Sequence, residues 1–487
     1  MGEKTSRERA LSAGKLFIGG EWVEAASGKT FPILSPANEE QIGEAALAGP
    51  ADVDRAVRAA ADALDGWSRL TQPERARIIY ALGAVIREAA DELIELEVRE
   101  HGTPVKVARG FIAGAAEQVE FFASISRGLT GRVLDALPQA TVYLQRVPIG
   151  VCAVITPWNV PLLMMAAMVT PALVTGNTVV LKPASVNSLL GVKFTEAVQQ
   201  LGLPPGVMNL VTGPGGSVGQ ALADHPEVDM IRFTGSSETG EEIMRVASRT
   251  AKKSVMELGG NNPVIVCEDA DVEKAASWQA QRHFGNTSQN CSTPGRYYVH
   301  EKVHDRFVEI FVHEVKKIVV GDPRDEQTTM GPMANRQQME RVEGLIASAV
   351  DEGARIVVGG RRAAESGYFL EPTVVTDVTH GMTIAREEIF GPAAVILKFS
   401  SDNEVIDLAN DSRYGLVAGI WTKDVAKALR FTQGLRVDSV YINMPRIQVP
   451  ELPWGGNVKE SGVGKDGSMC GLEEFTDLKM VVINQAS

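Results

Sequence analysis

Four short apolar segments between residues 151 and 235 constrain the fold more than any other feature of the sequence. They read VCAVITP, TVVLKPA, VMNLVTG and MIRFTG, and the stretches between them are long enough for helices. Apolar strands that alternate with helices are typical of a parallel, doubly wound α/β sheet. Gly, Pro, Thr and Ser follow these strands, and ligands bind at the carboxyl edge of such sheets. We therefore predict a parallel sheet with a ligand site at that edge.

A second series of the same kind follows the sequence ELGG. It contains the apolar segments PVIVC, RYYVH, ARIVVGG and AAVILKF. A chain of 487 residues exceeds the size at which one hydrophobic core stops growing, so at least two domains are expected. We predict that residues 1–130 and 148–258 form one domain and that residues 259–456 form a second.

Two alternating segments lie outside both series. LPQATVYLQRVP spans residues 137–148, and LKMVVIN lies near the C-terminus. Exposed strands of this kind are available to extend the sheet of a neighbouring molecule. We predict that residues 131–147 and 470–487 form a small β element for oligomer contacts.

Composition argues against several classes of function. The net charge of −13 offers no basic patch, so no nucleic-acid partner is expected. The longest apolar run, VPLLMMAAMV, is too short to cross a bilayer, so no membrane partner is expected. The four cysteines are too widely spread for paired zinc ligands or a disulfide framework. We therefore expect no metal, and a reducing cytoplasm as the location.

Two glycine-rich segments are each open to two interpretations. GPGGSVG at residues 213–219 departs from the dinucleotide fingerprint at Val218, and GSSETG at residues 235–240 lacks the lysine of a phosphate loop. Either segment could be a plain strand-to-helix turn. Either could instead hold a pyrophosphate at a helix N-terminus through backbone N–H groups.

Cys291 lies in an unusual place for a cysteine. It stands in the turn GNTSQNCSTPGR, among small polar residues, whereas free cysteines are usually buried. A polar, partly accessible turn suits a reactive thiolate. Cys152 and Cys267 lie in apolar strands and are expected in the core. Cys291 is therefore the candidate nucleophile.

Seven blocks in series carry a resemblance to a known family: ITPWNVP, LKPAS, FTGSSETG, MELGGNNP, SQNCS, EEIFGP and PWGGNVKESGVGKD. In this order, and over nearly the whole chain, they strongly resemble the aldehyde dehydrogenase superfamily. The resemblance implies an α/β fold with two doubly wound domains, the first with a Rossmann-like cofactor-binding sheet and the second catalytic, plus a small β oligomerisation element. It also implies a homodimer or homotetramer that oxidises a small-molecule aldehyde to the acid with NADP or NAD.

The same resemblance assigns three catalytic residues. Hydride transfer from an aldehyde first needs a nucleophile that makes a tetrahedral adduct, and Cys291 matches that nucleophile. The side-chain amide of Asn159 and the backbone N–H of Cys291 match the donors to the oxyanion. Glu257 matches the general base that activates water on the thioester. Family branches that pass the acyl group to coenzyme A typically lack this glutamate, so hydrolysis is expected.

Further positions match cofactor contacts of the family. Glu388 with Phe390 matches the nicotinamide-ribose contact, although Glu387 competes with Glu388 for this role. Lys182 matches the adenine-ribose contact. Gly235 and Ser236 match the pyrophosphate contact. The remaining matches are Ile155, Trp158, Ser185, Gly215, Gly219, Phe233 and Leu258.

Ser185 bears on the choice of cofactor. Many NAD-using members have a glutamate at this position, and a carboxylate there would repel a 2′-phosphate by on the order of 4 kcal/mol. Serine can donate a hydrogen bond instead, and Lys182 supplies positive charge. We therefore expect NADP to be accepted.

Two small residues shape the expected substrate. Ala167 and Gly285 stand where succinate-semialdehyde members have arginines, so a short dicarboxylic semialdehyde is disfavoured. Small side chains there predict a wide pocket for a bulky or aromatic aldehyde. Arg446 leaves an alternative open, because it could bind an acidic tail from another direction or simply be solvated. The other residues expected to line the pocket are Val160, Leu163, Met164 and Trp454.

Two rival functions stay open at this point. Within enzymes, the rival is a coenzyme A-acylating aldehyde dehydrogenase, and the presence of Glu257 argues against it. From a different class, the rival is a catalytically silent structural or ligand-binding relative. The intact set of Cys291, Glu257, Asn159 and Glu388 argues against that alternative.

Overall fold

The computed structural model describes residues 14–485. Residues 1–13 and 486–487, which the predicted domain and β element include, lie outside the described residues. The strands, numbered in chain order, are β1 (Leu16–Ile18), β2 (Glu21–Val23), β3 (Thr30–Leu34), β4 (Gln41–Ala46), β5 (Arg132–Leu134), β6 (Ala140–Pro148), β7 (Val151–Ile155), β8 (Thr178–Lys182), β9 (Met208–Leu210), β10 (Met230–Thr234), β11 (Lys253–Glu257), β12 (Asn262–Val266), β13 (Pro294–His300), β14 (Arg355–Val358), β15 (Thr373–Thr376), β16 (Ala393–Phe399), β17 (Val417–Trp421), β18 (Ser439–Ile442), β19 (Gly462–Val463) and β20 (Thr476–Asn484).

Helices connect and cover these strands. They are α1 (Pro50–Ser68), α2 (Gln72–Glu88), α3 (Ala90–His101), α4 (Val105–Ser126), α5 (Pro161–Val174), α6 (Ser188–Gln199), α7 (Gln220–Asp224), α8 (Ser237–Ala247), α9 (Val272–His283), α10 (Glu301–Val315), α11 (Arg336–Asp351), α12 (Thr383–Arg386), α13 (Asp402–Asn410), α14 (Val425–Gly434) and α15 (Ser468–Glu474).

The first large sheet has the strand order β19-β11-β10-β7-β8-β9-β1-β2, and its five central strands are parallel. The predicted parallel sheet is therefore confirmed. Its register pairs Ile155 with Lys182 and with Phe233, and Thr234 with Glu257. The carboxyl ends of four strands thus meet at one edge, where a ligand site was predicted.

Helices cover both faces of this sheet. Cys152 and Val154 of β7 belong to the core cluster that includes Leu162 of α5. Ala153, between them, belongs to the cluster that includes Val53 of α1. Successive strand residues point to opposite faces, so a strand that is buried on both sides is apolar throughout. Cys152 is fully buried, as expected.

The second large sheet has the order β14-β15-β16-β13-β12-β17-β18. All its neighbours pair in parallel except β14 and β15, which are antiparallel. Ile265 and Cys267 pack on one side of β12, and Val264 and Val266 on the other. The second α/β unit predicted from the sequence is therefore present.

A third, antiparallel sheet of β20, β6 and β5 lies apart from the other two. Its outward side chains are exposed, with Met480 at 64%. The segment between the second sheet and β20 returns to the first sheet, because β19 pairs Gly462 with Glu257 of β11. The exact domain bounds stay a prediction. No helix within residues 14–485 is long and apolar enough to span a membrane.

Candidate functional site

A cavity of about 780 Å³ lies where the carboxyl ends of β7, β8, β10 and β11 face the second sheet. Most of the residues predicted for the site line this cavity. They are Asn159, Glu257, Cys291, Ile155, Trp158, Lys182, Ser185, Gly215, Phe233, Gly235, Ser236, Leu258, Glu388, Phe390, Val160, Met164, Ala167 and Trp454.

Three predicted residues do not line the cavity. A Cβ at Gly219 would lie 3.7 Å from Cδ of Lys182, so Gly219 stands behind that lysine. Leu163 packs into the core beside Gly114 of α4. Neighbouring side chains on a helix point in different directions, so Leu163 points away from the cavity that Met164 lines. Gly285 follows α9, outside the cavity wall. Of the two small residues from which a wide pocket was predicted, Ala167 lines the cavity and Gly285 does not, and Leu163 is not among the lining residues.

The turn before Cys291 adopts an uncommon backbone conformation. Asn286, Thr287 and Ser288 have φ values of 54°, 56° and 57°, in the left-handed region that non-glycine residues seldom adopt. Two hydroxyl groups hold the turn: Thr287 donates to the carbonyl of Gly331 at 3.1 Å, and Ser288 to that of His283 at 2.9 Å. A strained turn kept in place by its surroundings is typical of functional sites.

Reciprocal amide bonds join this turn to Asn159. The Asn286 amide donates to the carbonyl of Asn159 at 2.7 Å, and the Asn159 amide donates to the carbonyl of Gln289 at 2.7 Å. An amide nitrogen carries two hydrogens, so Asn159 keeps one for a ligand. The Cys291 carbonyl accepts a 2.7 Å bond from Asn262, which fixes the backbone at the thiol.

Cys291 is partly exposed and lines the cavity. Burial raises its pKa to about 12, the Arg446 guanidinium lowers the pKa, and the carboxyl groups of Glu257 and Glu388 raise it. The thiol is therefore protonated at neutral pH until a base removes its proton.

Glu257 ends β11 with 3% of its surface exposed. Neither carboxyl oxygen has a hydrogen-bond partner among the described residues. Burial raises the pKa of Glu257 to about 8, while the Arg232 guanidinium lowers it. An unbonded carboxyl group in a cavity with a pKa near neutrality suits a general base.

Gly455 fits against Glu257, and the sequence analysis missed this residue. A Cβ at Gly455 would lie 1.4 Å from Oε1 of Glu257. The Lys465 ammonium donates to the Gly455 carbonyl at 2.8 Å and also bonds Asp438. The sequence signal was the glycine pair in PWGGN, but nothing in the sequence pointed from it to Glu257.

At the far end, the cavity presents a lysine and a helix N-terminus. Lys182 donates to the carbonyl of Pro183 at 3.0 Å, and burial lowers its pKa to about 8. Ser185 donates to the carbonyl of Gly213 at 2.9 Å. Ser236 caps α8, and a Cβ at Gly235 would lie 2.3 Å from the Phe233 ring. A glycine directly before a helix N-terminus leaves backbone N–H groups accessible, which suits a phosphate group.

Glu388 and Phe390 lie between this end and Cys291. Oε1 of Glu388 accepts a 2.8 Å bond from the N–H of Gly260, and burial raises its pKa to about 7. The Phe390 ring packs edge-on against Trp158, with centroids 5.3 Å apart. Glu387 is exposed beside Arg341, so Glu388 is the more deeply placed of the two glutamates.

Arg446 also lines the cavity. Its guanidinium carbon lies 3.9 Å from the centroid of the Trp454 ring. Arg446 is partly exposed as well as packed on Trp454, so both interpretations from sequence, a solvated loop arginine and a residue that binds an acidic tail, stay predictions. Among the described residues, no group of three or more His, Cys, Asp or Glu side chains is placed to bind a metal ion.

Comparison with known proteins places this architecture in a family. The model of the aldehyde dehydrogenase family matches residues 22–481. A betaine aldehyde dehydrogenase from Bacillus subtilis (strain 168) is 38% identical over 476 residues, covering 96% of this chain and 97% of that protein. The crystal structure of an NAD-dependent aldehyde dehydrogenase from Sinorhizobium meliloti has a TM-score of 0.96 at 35% identity, covering 100% of this chain and 97% of that one. A 3,6-anhydro-L-galactose dehydrogenase in complex with NADP has a TM-score of 0.94 at 36% identity, covering 96% of this chain and 99% of that one. The chain therefore belongs to the aldehyde dehydrogenase family, as its seven sequence blocks predicted.

Proposed function

We propose that this enzyme oxidises an aldehyde to the carboxylic acid by covalent catalysis at Cys291, with NAD or NADP as hydride acceptor. The observation that carries the proposal is that Cys291, Asn159 and Glu257 line one cavity. The three residues come from distant parts of the sequence, and each has chemistry that a different step requires.

The first step is addition of sulfur to the carbonyl carbon. Glu257, whose pKa is raised to about 8, accepts the thiol proton, and the Arg446 guanidinium favours the thiolate. The C–S bond forms as the carbonyl π pair moves to oxygen. The spare hydrogen of the Asn159 amide and the backbone N–H of Cys291 hold the resulting oxyanion.

The second step removes hydride from the same carbon and leaves a thioester on Cys291. The bound cofactor supplies the nicotinamide ring that accepts this hydride. Glu257 releases the thiol proton to solvent and, again ionised, takes a proton from water as the hydroxide attacks the thioester. The acid leaves and the thiolate of Cys291 is regenerated.

The cofactor is assigned to the other half of the cavity. Glu388 would hold the nicotinamide ribose, and Ser236 with the N-terminus of α8 would hold the pyrophosphate. Lys182 and Ser185 would face the adenine ribose. The absence of a carboxylate at Ser185 supports acceptance of NADP, because nothing negative at that residue would repel a 2′-phosphate.

For the substrate, we propose a bulky or aromatic aldehyde. Val160, Met164, Ala167 and Trp454 give the cavity an apolar wall beside Cys291, and Ala167 is small. The betaine aldehyde dehydrogenase relative suggests a second candidate, an aldehyde with a cationic amino group. A panel of both kinds of aldehyde, each assayed with NAD and with NADP, separates the two.

The decisive experiment compares the parent enzyme with two variants. Cys291→Ala should produce no reduced nicotinamide. Glu257→Gln should form the acyl-enzyme slowly, with about one equivalent of reduced nicotinamide, and then retain the acyl group on Cys291, which intact-mass measurement detects. Full turnover by Cys291→Ala would contradict covalent catalysis, and a product that requires coenzyme A would instead identify an acylating enzyme.

We also propose that β20 and β6 make the contacts of a homodimer or homotetramer in the cytoplasm. Leu478, Met480 and Val482 project from β20 with about half or more of their surface exposed, and an apolar strand face of this kind is commonly covered by another chain. Light scattering of the enzyme and of Met480→Glu tests the assembly. An unchanged mass for the variant would contradict this contact.

A further inference from the structure

Arg446 is a cation in the cavity without an anionic partner. Within residues 14–485 it forms no ion pair; its Nη1 donates to Oε1 of Gln448 at 3.1 Å, and its Nε is buried with no acceptor. One face of the guanidinium is covered by the Trp454 ring. Most of the five N–H groups of this side chain are therefore free for a ligand.

Two other arginines, Arg232 and Arg296, are fully buried and have an anionic or carbonyl partner, although Nε of Arg232 also lacks an acceptor among the described residues. Arg232 pairs with Asp466 at 2.6 Å. Arg296 donates to the carbonyl of Asn261 at 2.8 Å and to two further carbonyls. A buried charge is costly unless it is paired or fully hydrogen-bonded. Arg446 is only partly exposed and has no anionic partner in the described part of the chain, so an anion would complete its surroundings.

The position of Arg446 points to the substrate as the source of that anion. Arg446 lines the same cavity as Cys291, and its charge lowers the pKa of the thiol, so the two groups lie within electrostatic reach. Arg282 lies outside this cavity but lines a small neighbouring pocket together with Arg446; burial lowers the pKa of Arg446, and the Arg282 charge lowers it further. A molecule whose aldehyde lies at Cys291 can therefore present its other end to the Arg446 guanidinium.

We propose that Arg446, held on the face of Trp454, selects aldehydes that carry a carboxylate at the end remote from the carbonyl. This inference rests on the proposed function and names its substrate class. The planar guanidinium matches a carboxylate with two parallel hydrogen bonds, which favours this anion by geometry as well as charge.

The same arrangement disfavours a cationic substrate. A quaternary ammonium group binds best on an open aromatic face, and here the Arg446 guanidinium covers a face of Trp454. Two like charges in one cavity repel each other. This enzyme should therefore not prefer betaine aldehyde, the substrate in the name of its Bacillus subtilis relative.

Three aldehydes of one shape test the proposal: para-carboxybenzaldehyde, its neutral isostere para-carbamoylbenzaldehyde, and the para-trimethylammonio analogue. We expect kcat/KM for the carboxylate to exceed that for the carbamoyl compound roughly tenfold or more, because charge-assisted hydrogen bonds are the stronger ones. The ammonium compound should be the poorest. In Arg446→Gln the ratio of carboxylate to carbamoyl should fall to near one, and Arg446→Lys should keep part of it.

Arg69→Gln is the matched control, because Arg69 is an exposed arginine just beyond α1 and its loss changes the net charge equally. It should leave the ratio unchanged. If Arg446→Gln slows all three aldehydes equally and keeps their ratio, Arg446 acts on the thiol alone and the proposal is overturned. If the parent enzyme has nearly equal kcat/KM for the carboxylate and the carbamoyl compound, the proposal is overturned as well. The proposed function still stands in that case, because the aldehydes are oxidised.

A binding measurement separates failure of the two ideas. Calorimetry with terephthalate and terephthalamate, the two product acids, reports on Arg446 without any oxidation step. If the enzyme oxidises none of the aldehydes yet binds terephthalate more tightly in an Arg446-dependent way, the proposed function fails and the anion site stands. If the parent enzyme binds terephthalate and terephthalamate equally tightly, and Arg446→Gln does the same, the proposed anion site is overturned.

Discussion

A Cβ added at Gly455 would lie 1.4 Å from Oε1 of Glu257, so no other residue fits opposite this carboxyl group. Gly455 also has a φ of 86°, which side-chain-bearing residues seldom adopt. Its carbonyl is bonded by Lys465, so the backbone is not free to retreat. The glycine therefore determines where the proposed general base can lie.

Gly455→Ala should displace Glu257 and slow thioester hydrolysis. A misplacement of about 1 Å at a catalytic group typically costs roughly a hundredfold in rate, and we expect a loss of that size in steady-state turnover. The first turnover should suffer less than the following ones, so that rapid mixing shows a burst of reduced nicotinamide.

Gly344→Ala is the control for this substitution. Gly344 lies within α11, and a Cβ there meets nothing within 4 Å, so alanine should stabilise the helix slightly and leave turnover unchanged. Unimpaired turnover in Gly455→Ala would show that the position of Glu257 does not limit the reaction.

The pH dependence of turnover should follow Glu257. Burial raises its pKa to about 8, and only the ionised carboxylate can accept a proton. The rate of thioester hydrolysis should therefore rise with pH and level off above about pH 8. Single-turnover measurements across this range check the expectation. If the rate of thioester hydrolysis in Glu257→Gln still rises with pH over the same range, another group causes the rise.

Glu257 should also make the fold less stable as pH rises. Its pKa in the folded protein, about 8, lies above the unfolded value of 4.5. Below 4.5 both states are protonated; between 4.5 and 8 only the unfolded state loses its proton, so stability falls across that window and is level above it. Glu257→Gln removes this loss and should be more stable by on the order of 5 kcal/mol at the upper end of the window.

Urea unfolding at the two ends of that window measures the effect. The parent and Glu257→Gln should unfold at nearly the same urea concentration at the acidic end and at different concentrations at the alkaline end. Glu340→Gln, at an exposed position on α11, is the matched control and should follow the parent at both. A Glu257→Gln variant that is less stable than the parent at the alkaline end would mean that the ionised carboxylate is stabilised by its surroundings.

Much of the fold followed from short-range pattern. Apolar strands separated by helix-length segments predicted the parallel sheets, and the register of parallel strands then placed Ile155, Lys182, Phe233 and Glu257 at one edge. The reason is that strand periodicity and strand ends are local properties of the sequence. Most of the predicted cofactor and catalytic residues line one cavity as a consequence.

The rest depended on contacts that local pattern does not encode. Leu163 and Met164 are neighbours on α5, and only tertiary packing decides which of them faces the cavity. Gly455 meets Glu257, and Arg446 covers Trp454, because of how one loop folds back on the first sheet. Sequence reasoning named Arg446 and Trp454 but could not foresee that one would cover the other.

Ser185→Glu should remove the acceptance of NADP that we propose. The Ser185 hydroxyl donates to the carbonyl of Gly213, at the end of the cavity that holds Lys182. A glutamate there would repel the 2′-phosphate of NADP by on the order of 4 kcal/mol at close range, and would accept hydrogen bonds from the ribose hydroxyls of NAD. We expect kcat/KM with NADP to fall roughly a hundredfold to a thousandfold and that with NAD to rise. Ser27→Glu, at an exposed turn remote from the cavity, controls for the added charge and should change neither value. An equal loss with both cofactors would show that position 185 supports the local fold and does not read the phosphate.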